Sequence, residues 1–216
     1  MTRQVDLTLY VVLDTGTTPP DRIPDLALAV VHGGATILQI RDKTSSARQL
    51  VDLARTVKAR VRPLGVPVVL NDRVDIAAAA GVDGAHVGQD DLPPDAARSI
   101  LGPDAIIGLS VTCAEEVTTV DPAVVDHVGL GPIFATSTKP DAAPSLGANG
   151  FRSVREMLNL PVVAIGGIGI RNVEDAIAAG ADGIAVVTAV AHADDPQSAA
   201  RHLLSLIQDA RRRTAR

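Results

Sequence analysis

The sequence predicts an α/β protein that folds as a (β/α)₈ TIM barrel in a single compact domain. Three observations predict this class: short apolar runs alternate with longer helix-like segments, the runs number eight, and most are rich in Val and Ile without a clean apolar–polar alternation. Strands of that composition are typical of a parallel sheet covered on both faces. The 216 residues suffice for one core and contain no linker-like stretch, so we expect residues 1–216 to form one catalytic domain.

The eight apolar runs predict strands that are spread along the whole chain. Their bounds are 7–13, 37–40, 66–70, 84–87, 106–109, 127–130, 162–165 and 183–187. The segments between them predict helices, among them 47–60, 73–80, 153–159, 171–179 and 197–213. In the last helix, apolar residues recur at amphipathic spacing, at Ala200, Leu203, Leu204 and Ile207.

A weak internal repeat supports this alternation. Residues 80–85 (AGVDGA) and 179–184 (AGADGI) are nearly the same phrase, and residues 32–37 (HGGATI) are similar to it. In each copy the pattern predicts a helix that ends at a glycine, a tight turn and then a buried strand. The main alternative architecture is an open, doubly wound sheet.

Composition excludes several classes of function. A formal net charge of −5 and an aromatic content of 1% argue against a general nucleic-acid binder and against base stacking. No apolar run is long enough to span a membrane, and the polar start of the chain does not resemble a signal peptide. With Cys113 as the one cysteine, we expect a cytoplasmic protein whose partners are small molecules.

Polar residues are concentrated where the predicted strands end, which in a barrel is the rim that carries the active site. Gln39, Arg41 and Lys43 alternate at the end of the second strand, so they point to one side. Solvated charges on an edge strand are the alternative interpretation. Because burying unpaired charge is costly, we expect an anionic ligand, such as a phosphate, to balance Arg41 and Lys43.

Two aspartates follow the next two strands. Asp72 comes directly after Asn71, and Asp91 ends the run 87–91. Each could instead cap the helix that follows it. A barrel, however, would place both at neighbouring strand ends, within reach of Lys43. Two aspartates without His or Cys partners favour Mg²⁺, which proteins hold with one or two carboxylates together with substrate phosphates and water.

A long loop follows the sixth strand. It extends to about residue 149 and contains Thr136, Thr138 and Lys139, whose hydroxyls and ammonium can bind a carboxylate or phosphate. Loops of this length in compact domains are often lids or binding loops.

The ends of the last two strands are suited to a phosphate. Gly166 and Gly167 follow the seventh strand, and Val187 and Thr188 end the eighth. Barrels often bind phosphate here through backbone amides and a short extra helix, which we expect at about 189–192. His86 lies inside the fourth strand, where a core role and a catalytic role both stay open.

The ordered set of motifs resembles the thiamine phosphate synthase family over almost the whole chain. The motifs are Gln-x-Arg-x-Lys at 39–43, Asn-Asp at 71–72, Asp-Gly-x-His-x-Gly-Gln-x-Asp at 83–91, Gly-x-Ser at 108–110, Gly-x-Gly-Pro-Ile-Phe at 129–134, Thr-x-Thr-Lys at 136–139, Gly-Gly-Ile at 166–168 and Gly-Ala-Asp-Gly at 180–183. Two positions depart from the family pattern. Thr188 stands where Ser is common, and Gly169 stands where a Thr or Ser is frequent, so a helix-capping hydroxyl is missing.

The resemblance implies a transferase of thiamine biosynthesis. It would join hydroxymethylpyrimidine diphosphate to a thiazole phosphate, which in some members carries a carboxylate that is lost, and would release thiamine phosphate and pyrophosphate. By position, the residues that hold the pyrimidine diphosphate would be Gln39, Arg41, Lys43, Asn71, Ser110 and Lys139. Of these, Arg41, Lys43, Ser110 and Lys139 would be catalytic. Magnesium would bind to Asp72 and Asp91, and the thiazole phosphate to Thr136, Thr138, Gly167, Val187 and Thr188.

Two other functions remain as alternatives. A thiazole tautomerase, which is a related barrel acting on the thiazole half alone, needs neither magnesium nor a diphosphate site, so Lys43, Asp72, Asp91 and Lys139 argue against it. A non-catalytic ligand-sensing barrel would leave the two aspartates without a role. The sequence allows a homo-oligomer without indicating which one.

Overall fold

Eight parallel strands close into a barrel in chain order. The computed structural model describes residues 5–136, 138 and 143–214. The strands are β1 Leu9–Asp14, β2 Ile37–Arg41, β3 Val68–Asn71, β4 Gly84–Val87, β5 Ile106–Val111, β6 His127–Leu130, β7 Val162–Ala164 and β8 Gly183–Val186. All eight predicted strands are confirmed, and the closed barrel excludes the open, doubly wound sheet.

Helices cover the outside of the barrel. They are α1 Ile23–His32, α2 Ala47–Val61, α3 Val74–Ala80, α4 Pro94–Leu101, α5 Gly147–Arg155, α6 Val173–Ala178, α7 Thr188–Ala191 and α8 Pro196–Thr214. Short 3₁₀ helices occupy Arg62–Leu64 and Glu115–Thr119, and the second of these stands in the connection between β5 and β6. Among the described residues, no helix combines the length and the apolar character that crossing a membrane requires.

One predicted helix, 153–159, has the wrong bounds. The helix α5 starts at Gly147 and ends at Arg155. Glycines such as Gly150 indicate a loop in the sequence, because glycine weakens a helix interior by ~1 kcal/mol. In the structure, Phe151 and Val154 are buried on the inner face of α5, and burial of two such side chains outweighs that cost.

The strands contribute to two separate cores. Their outward side chains pack under the helices in a large apolar cluster that includes Leu9, Leu38 and Leu70. Their inward side chains fill the barrel in a smaller cluster, which contains Tyr10, Val12, Ile37, Val69, Ile106, Val163 and Ala185, together with Leu7 just before β1. Both faces of each strand are therefore buried, which explains why the strands lack apolar–polar alternation.

Aspartates build the rim at the amino ends of the strands, and two of them belong to the internal repeat. Asp83, Asp126 and Asp182 each accept a backbone hydrogen bond from the strand before their own, at 2.9, 2.7 and 2.8 Å. Each also pairs with a cation from the helix leading into that earlier strand, namely Lys58, Arg98 and Arg155. The amino-terminal rim of a barrel serves stability, so this repeat is structural.

Candidate active site

The predicted site residues that the structure describes all line one cavity at the carboxyl ends of the strands. The cavity has a volume of about 1290 Å³. Its lining includes Gln39, Arg41, Lys43, Asn71, Asp72, Asp91, Ser110, Thr136, Thr138, Gly167, Val187 and Thr188. The remaining predicted residue, Lys139, lies outside the described residues. The volume exceeds the ~300–1,000 Å³ typical of a small-molecule site, so the cavity can hold two ligands together.

Arg41 already has an anionic partner within the protein. Asp14 ends β1 and stands in register with Arg41 at the end of β2. The Arg41 Nη1 atom donates to Asp14 Oδ2 at 2.7 Å, and the Asp14 side chain is only 4% exposed. The other oxygen of Asp14 accepts from the Gly16 amide at 2.8 Å. Arg41 is therefore paired within the protein, and the expected anionic ligand stays a prediction. The ion pair engages one nitrogen of a guanidinium that has five donors.

Gln39 lies deeper in the barrel than Arg41. Its side chain is buried, and its Nε2 atom donates to the Tyr10 hydroxyl at 2.8 Å. Burial raises the pKa of the Tyr10 phenol, against the smaller opposite effect of Gln39, so this hydroxyl stays protonated. Lys43 lies at the other extreme, with its side chain 55% exposed at the cavity mouth. The three alternating residues therefore face one cavity at three different depths.

Lys43, Asp72 and Asp91 form a charged cluster at the rim. The Lys43 ammonium donates to the Asp72 carboxylate. Burial raises the pKa of Asp72, Lys43 lowers it, and the neighbouring Asp91 carboxylate raises it again, with a net increase. Asp91 is held by the Gly88 amide, which donates to its Oδ2 atom at 2.8 Å. The two carboxylates thus lie side by side, and Lys43 relieves only part of their unfavourable interaction.

Neither aspartate caps the helix that follows it. The residues at the N-cap positions of α3 and α4 are Arg73 and Pro93, and in the described part of the chain no side chain caps either helix. Asp72 has a φ of 60°, the left-handed region that Asp and Asn tolerate better than most residues. The capping interpretation is therefore wrong, and the Asp72 carboxylate accepts from Lys43 instead.

Two carboxylates fit magnesium better than a metal that needs a complete protein cage. Within residues 5–136, 138 and 143–214, no group of three or more His, Cys, Asp or Glu side chains is placed to hold a metal ion. Magnesium usually takes one or two carboxylates and completes its coordination with phosphates and water. A cation held by Asp72 and Asp91 would also offset the effect of the Asp91 carboxylate, which adds to that of burial in raising the pKa of Asp72.

Ser110 lies near the end of β5. Two buried histidines, His86 and His127, lie next to it in the barrel interior. The His86 Nε2 atom is 3.0 Å from Ser110 Oγ, and His86 Nδ1 is 3.4 Å from His127 Nε2. Burial lowers the pKa of His86 to about 4, although Asp91 raises it slightly. Burial and then His86 lower the pKa of His127 to about 3. Both rings are therefore neutral near pH 7.

The opposite side of the cavity is built from close-packed loops. Gly166 and Gly167 have φ values of 102° and 63°, which glycine adopts without strain. A Cβ atom on Gly167 would lie 2.3 Å from the Ala135 carbonyl oxygen, so only glycine fits against the loop that carries Thr136 and Thr138. The two loops can therefore present hydroxyls and backbone amides to one ligand.

The predicted short helix after β8 is confirmed as α7, which starts at Thr188. The N-cap residue of α7 is Val187, and no described side chain caps the helix. The first amides of a helix have no acceptor within the helix, so those of α7 are available to a ligand. In the loop between β7 and α6, Asn172 bonds to the backbone at position 169, where the capping hydroxyl is missing. Its Oδ1 atom accepts from the Gly169 amide at 2.8 Å, and its Nδ2 atom donates to the Gly167 carbonyl at 2.9 Å.

Sequence reasoning missed Tyr10 and His127 as members of the cavity lining. A signal that could have indicated His127 is the glycine at inward positions of β5 and β6. A Cβ atom on Gly108 would lie 2.3 Å from His86 Nδ1 and 2.5 Å from His127 Nε2, and one on Gly129 would lie 2.9 Å from His86 Cε1. Glycine inside a strand marks close approach of another group.

Comparisons with known proteins agree with the site. The family described as thiamine monophosphate synthase matches residues 9–190. Thiamine-phosphate synthases of Azorhizobium caulinodans and Xanthobacter autotrophicus are both 47% identical to this chain, over 212 and 211 residues, and each match covers 98% of this chain and 100% of the relative. A solved thiamine phosphate pyrophosphorylase from Pyrococcus furiosus superimposes with a TM-score of 0.86 at 33% identity, covering 95% of this chain and 97% of that one.

The likeness thus covers the barrel, both sides of the cavity and nearly the full length of each relative. We conclude that this chain belongs to the thiamine monophosphate synthase family.

Proposed function

We propose that this chain condenses hydroxymethylpyrimidine diphosphate with a thiazole phosphate to give thiamine phosphate and pyrophosphate, together with CO₂ when the thiazole is carboxylated. One observation supports this function above the others. A single cavity has cations and carboxylates on its β2–β4 side and glycine-rich loops with a helix start on its β6–β8 side. Two anionic substrates can therefore bind next to each other.

The pyrimidine diphosphate would bind on the β2–β5 side. Arg41 and Lys43 supply positive charge at the rim, and Asn71 and Ser110 supply shorter polar groups. Gln39 lies deeper, held by Tyr10, where the uncharged ring would enter. Lys139 would add a further positive charge from the loop after β6.

Asp72 and Asp91 would hold Mg²⁺. Their adjacent carboxylates, and the raised pKa of Asp72, are the features of this structure that fit a divalent cation. When bound, the ion would neutralise negative charge on the diphosphate. Lys43, already paired with Asp72, would keep that carboxylate oriented.

The thiazole phosphate would bind on the opposite side. The start of α7, with Val187 and Thr188, and the turn at Gly167 offer backbone amides to its phosphate. Thr136 and Thr138 lie in the adjoining loop, where the Thr138 amide donates to Thr136 Oγ1 at 3.2 Å. Their hydroxyls would contact the thiazole, or its carboxylate when one is present.

The polar residues that line the cavity suit a dissociative reaction. Pyrophosphate would leave first, giving a pyrimidine-methyl cation stabilised by the ring amine, and the thiazole nitrogen would then capture it. Arg41 and Lys43 would lie beside the leaving group as it gains negative charge, and they would therefore favour the transition state over the ground state. The shared cavity would hold the two rings in reacting geometry.

Pyrophosphate release, measured with each substrate alone and with both, tests this function. We expect release that requires both substrates and magnesium. Conversion of the thiazole phosphate without the pyrimidine would instead support the tautomerase alternative. Tight binding of either substrate without turnover would support a ligand-sensing barrel.

A further inference from the structure

A chain of polar side chains crosses the interior of the barrel and lines part of the cavity. It consists of Ser110 on β5, His86 on β4 and His127 on β6. The atoms His86 Nε2 and Ser110 Oγ are 3.0 Å apart, and His86 Nδ1 and His127 Nε2 are 3.4 Å apart. His86 is 9% and His127 1% exposed. The site described above uses Ser110 and leaves both histidines without a role.

The surroundings hold both rings in place. Gly108 and Gly129 leave the space that the imidazoles occupy, since a Cβ atom on Gly108 would overlap both rings. The Tyr10 ring packs edge-on against His86 at a centroid distance of 6.5 Å and lies tilted against His127 at 5.8 Å. Close packing of this kind restricts the rotation that would exchange the hydrogen-bond partners of each ring.

Both imidazoles are buried, and neither has a carboxylate among its hydrogen-bond partners in the described part of the chain, so each ring is neutral and carries a proton on only one nitrogen. The nitrogens facing each other cannot both be donors, so the chain has two possible directions. In the first, His127 Nε2 donates to His86 Nδ1, and His86 Nε2 donates to Ser110. In the second, Ser110 donates to His86, His86 donates to His127, and the proton of His127 is on Nδ1.

An unpaired atom distinguishes the two directions. His127 Nδ1 is buried and has no hydrogen-bond partner among the described residues. In the second direction this atom would be a buried N–H group without an acceptor, which is rare in folded proteins because it costs the full desolvation of the donor. In the first direction the same atom is only an unused lone pair. The first direction is therefore favoured.

We propose that His127 and His86 are positioning residues that, both in the Nε2–H form, donate in series to Ser110 and turn its hydroxyl proton into the cavity. Ser110 then acts as a hydrogen-bond donor towards an acceptor atom of the ligand. This inference rests on the proposed function only for the identity of that ligand, the pyrimidine diphosphate. The acceptor is a ring nitrogen or a phosphate oxygen.

The position of the protons can be measured in the full-length protein without any substrate. Long-range ¹H–¹⁵N correlation spectra distinguish the two neutral forms of each histidine, and through-bond assignment identifies His86 and His127. We expect both rings to be neutral and protonated on Nε2 at pH 7. A proton on His127 Nδ1, or a charged ring in either position, would overturn the inference. Absence of catalysis would leave this measurement intact, so the two proposals fail separately.

A double-mutant cycle tests whether the histidine acts through Ser110. We expect His86→Leu to lower kcat/KM for the pyrimidine diphosphate by ~3–10-fold, the range for one hydrogen bond. The same change should have little effect in a Ser110→Ala background, and His86→Gln, which keeps a donor at similar reach, should recover most of the loss. Equal losses in both backgrounds would indicate a purely structural role.

Binding of partial ligands then identifies the acceptor atom. Inorganic pyrophosphate and the pyrimidine alcohol each carry one of the two kinds of acceptor, so Ser110→Ala should weaken only the one that Ser110 contacts. If Ser110→Ala weakens neither, the hydroxyl proton does not serve the ligand and the inference fails. If His86→Leu does not fold, His86→Gln and the spectra of the unmodified protein still test whether the two histidines donate in series to Ser110.

Discussion

The Arg41 guanidinium donates to the Asp14 carboxylate at 2.7 Å, across the junction of β1 and β2 at the rim of the barrel. The pair fixes a cation at the cavity wall before any substrate arrives. A buried carboxylate offsets part of the charge of Arg41, but it also keeps the guanidinium from folding back into solvent. The cation is therefore oriented in advance, which is what stabilisation of a developing charge requires.

Asp14→Asn should weaken binding of the pyrimidine diphosphate. Asparagine can still accept from the Gly16 amide but loses the charged bond to Arg41. Hydrogen bonds to charged groups contribute ~1.5–3 kcal/mol, so we expect KM to rise ~10-fold or more. Asp25→Asn is the control, because Asp25 forms an exposed ion pair with Arg60 and neither residue lines the cavity. Unchanged KM in Asp14→Asn would mean that Arg41 does not need this partner.

Asp72→Asn should abolish most turnover while the protein stays folded. Loss of one well-placed electrostatic group typically costs ~10²–10³ in kcat. Asparagine is preferred to alanine because Asp72 has a φ of 60°, where alanine would add a stability loss of its own. Turnover is measured as pyrophosphate release, and folding by thermal denaturation.

The matched control for this variant is Asp75→Asn. Asp75 lies on α3 and pairs with Arg73, and its side chain is 65% exposed, so its removal should have little effect on either measurement. Near-wild-type turnover of Asp72→Asn at saturating magnesium would exclude Asp72 as a metal ligand.

The buried histidines should make the protein sensitive to mild acid. Their folded-state pKa values, about 4 for His86 and about 3 for His127, lie below the ordinary value of 6.5. At pH values between the folded-state pKa and 6.5, each histidine binds more protons in the unfolded chain than in the folded protein. The free energy of unfolding therefore falls as the pH decreases below about 6.5. The slope is at most ~1.4 kcal/mol per pH unit for each histidine.

Urea denaturation at several pH values between 7 and 5 measures that slope, and His86→Gln and His127→Gln should each reduce it. Identical pH profiles in the wild type and both variants would show that neither histidine is held neutral by the fold.

Gly108→Ala should destabilise the protein and disturb the histidine chain. The added Cβ atom would lie 2.3 Å from His86 Nδ1 and 2.5 Å from His127 Nε2. Overpacking of this kind costs ~1–3 kcal/mol, which chemical denaturation can measure.

The control for this variant is Gly150→Ala in α5, where the nearest heavy atom, Leu146 Cβ, is at 3.4 Å. Alanine in a helix should be neutral there or stabilising by up to ~1 kcal/mol. Equal stability of Gly108→Ala and the wild type would mean that the barrel interior is not tightly packed around the two rings.

The sequence by itself predicts the eight strands and the rim at which the polar residues gather, as well as the family. These features depend on local composition, on periodicity and on ordered motifs, which can be read without knowing which distant segments meet. The repeat at 80–85 and 179–184 likewise predicts turns, because glycine and aspartate have local conformational preferences.

Only the tertiary structure decided the partners of the site residues. Arg41 and Asp14 are 27 positions apart, and His86 and His127 are 41 apart, so their contacts exist only because barrel closure and strand register bring them together. The tertiary structure also decided how deep Gln39 and Lys43 lie in the cavity, and that Asp72 and Asp91 do not cap the helices that follow them. In α5, the burial of apolar side chains outweighs the low helix propensity of glycine. Contacts between distant residues depend on the register and on the space between side chains, and neither is encoded in a local pattern.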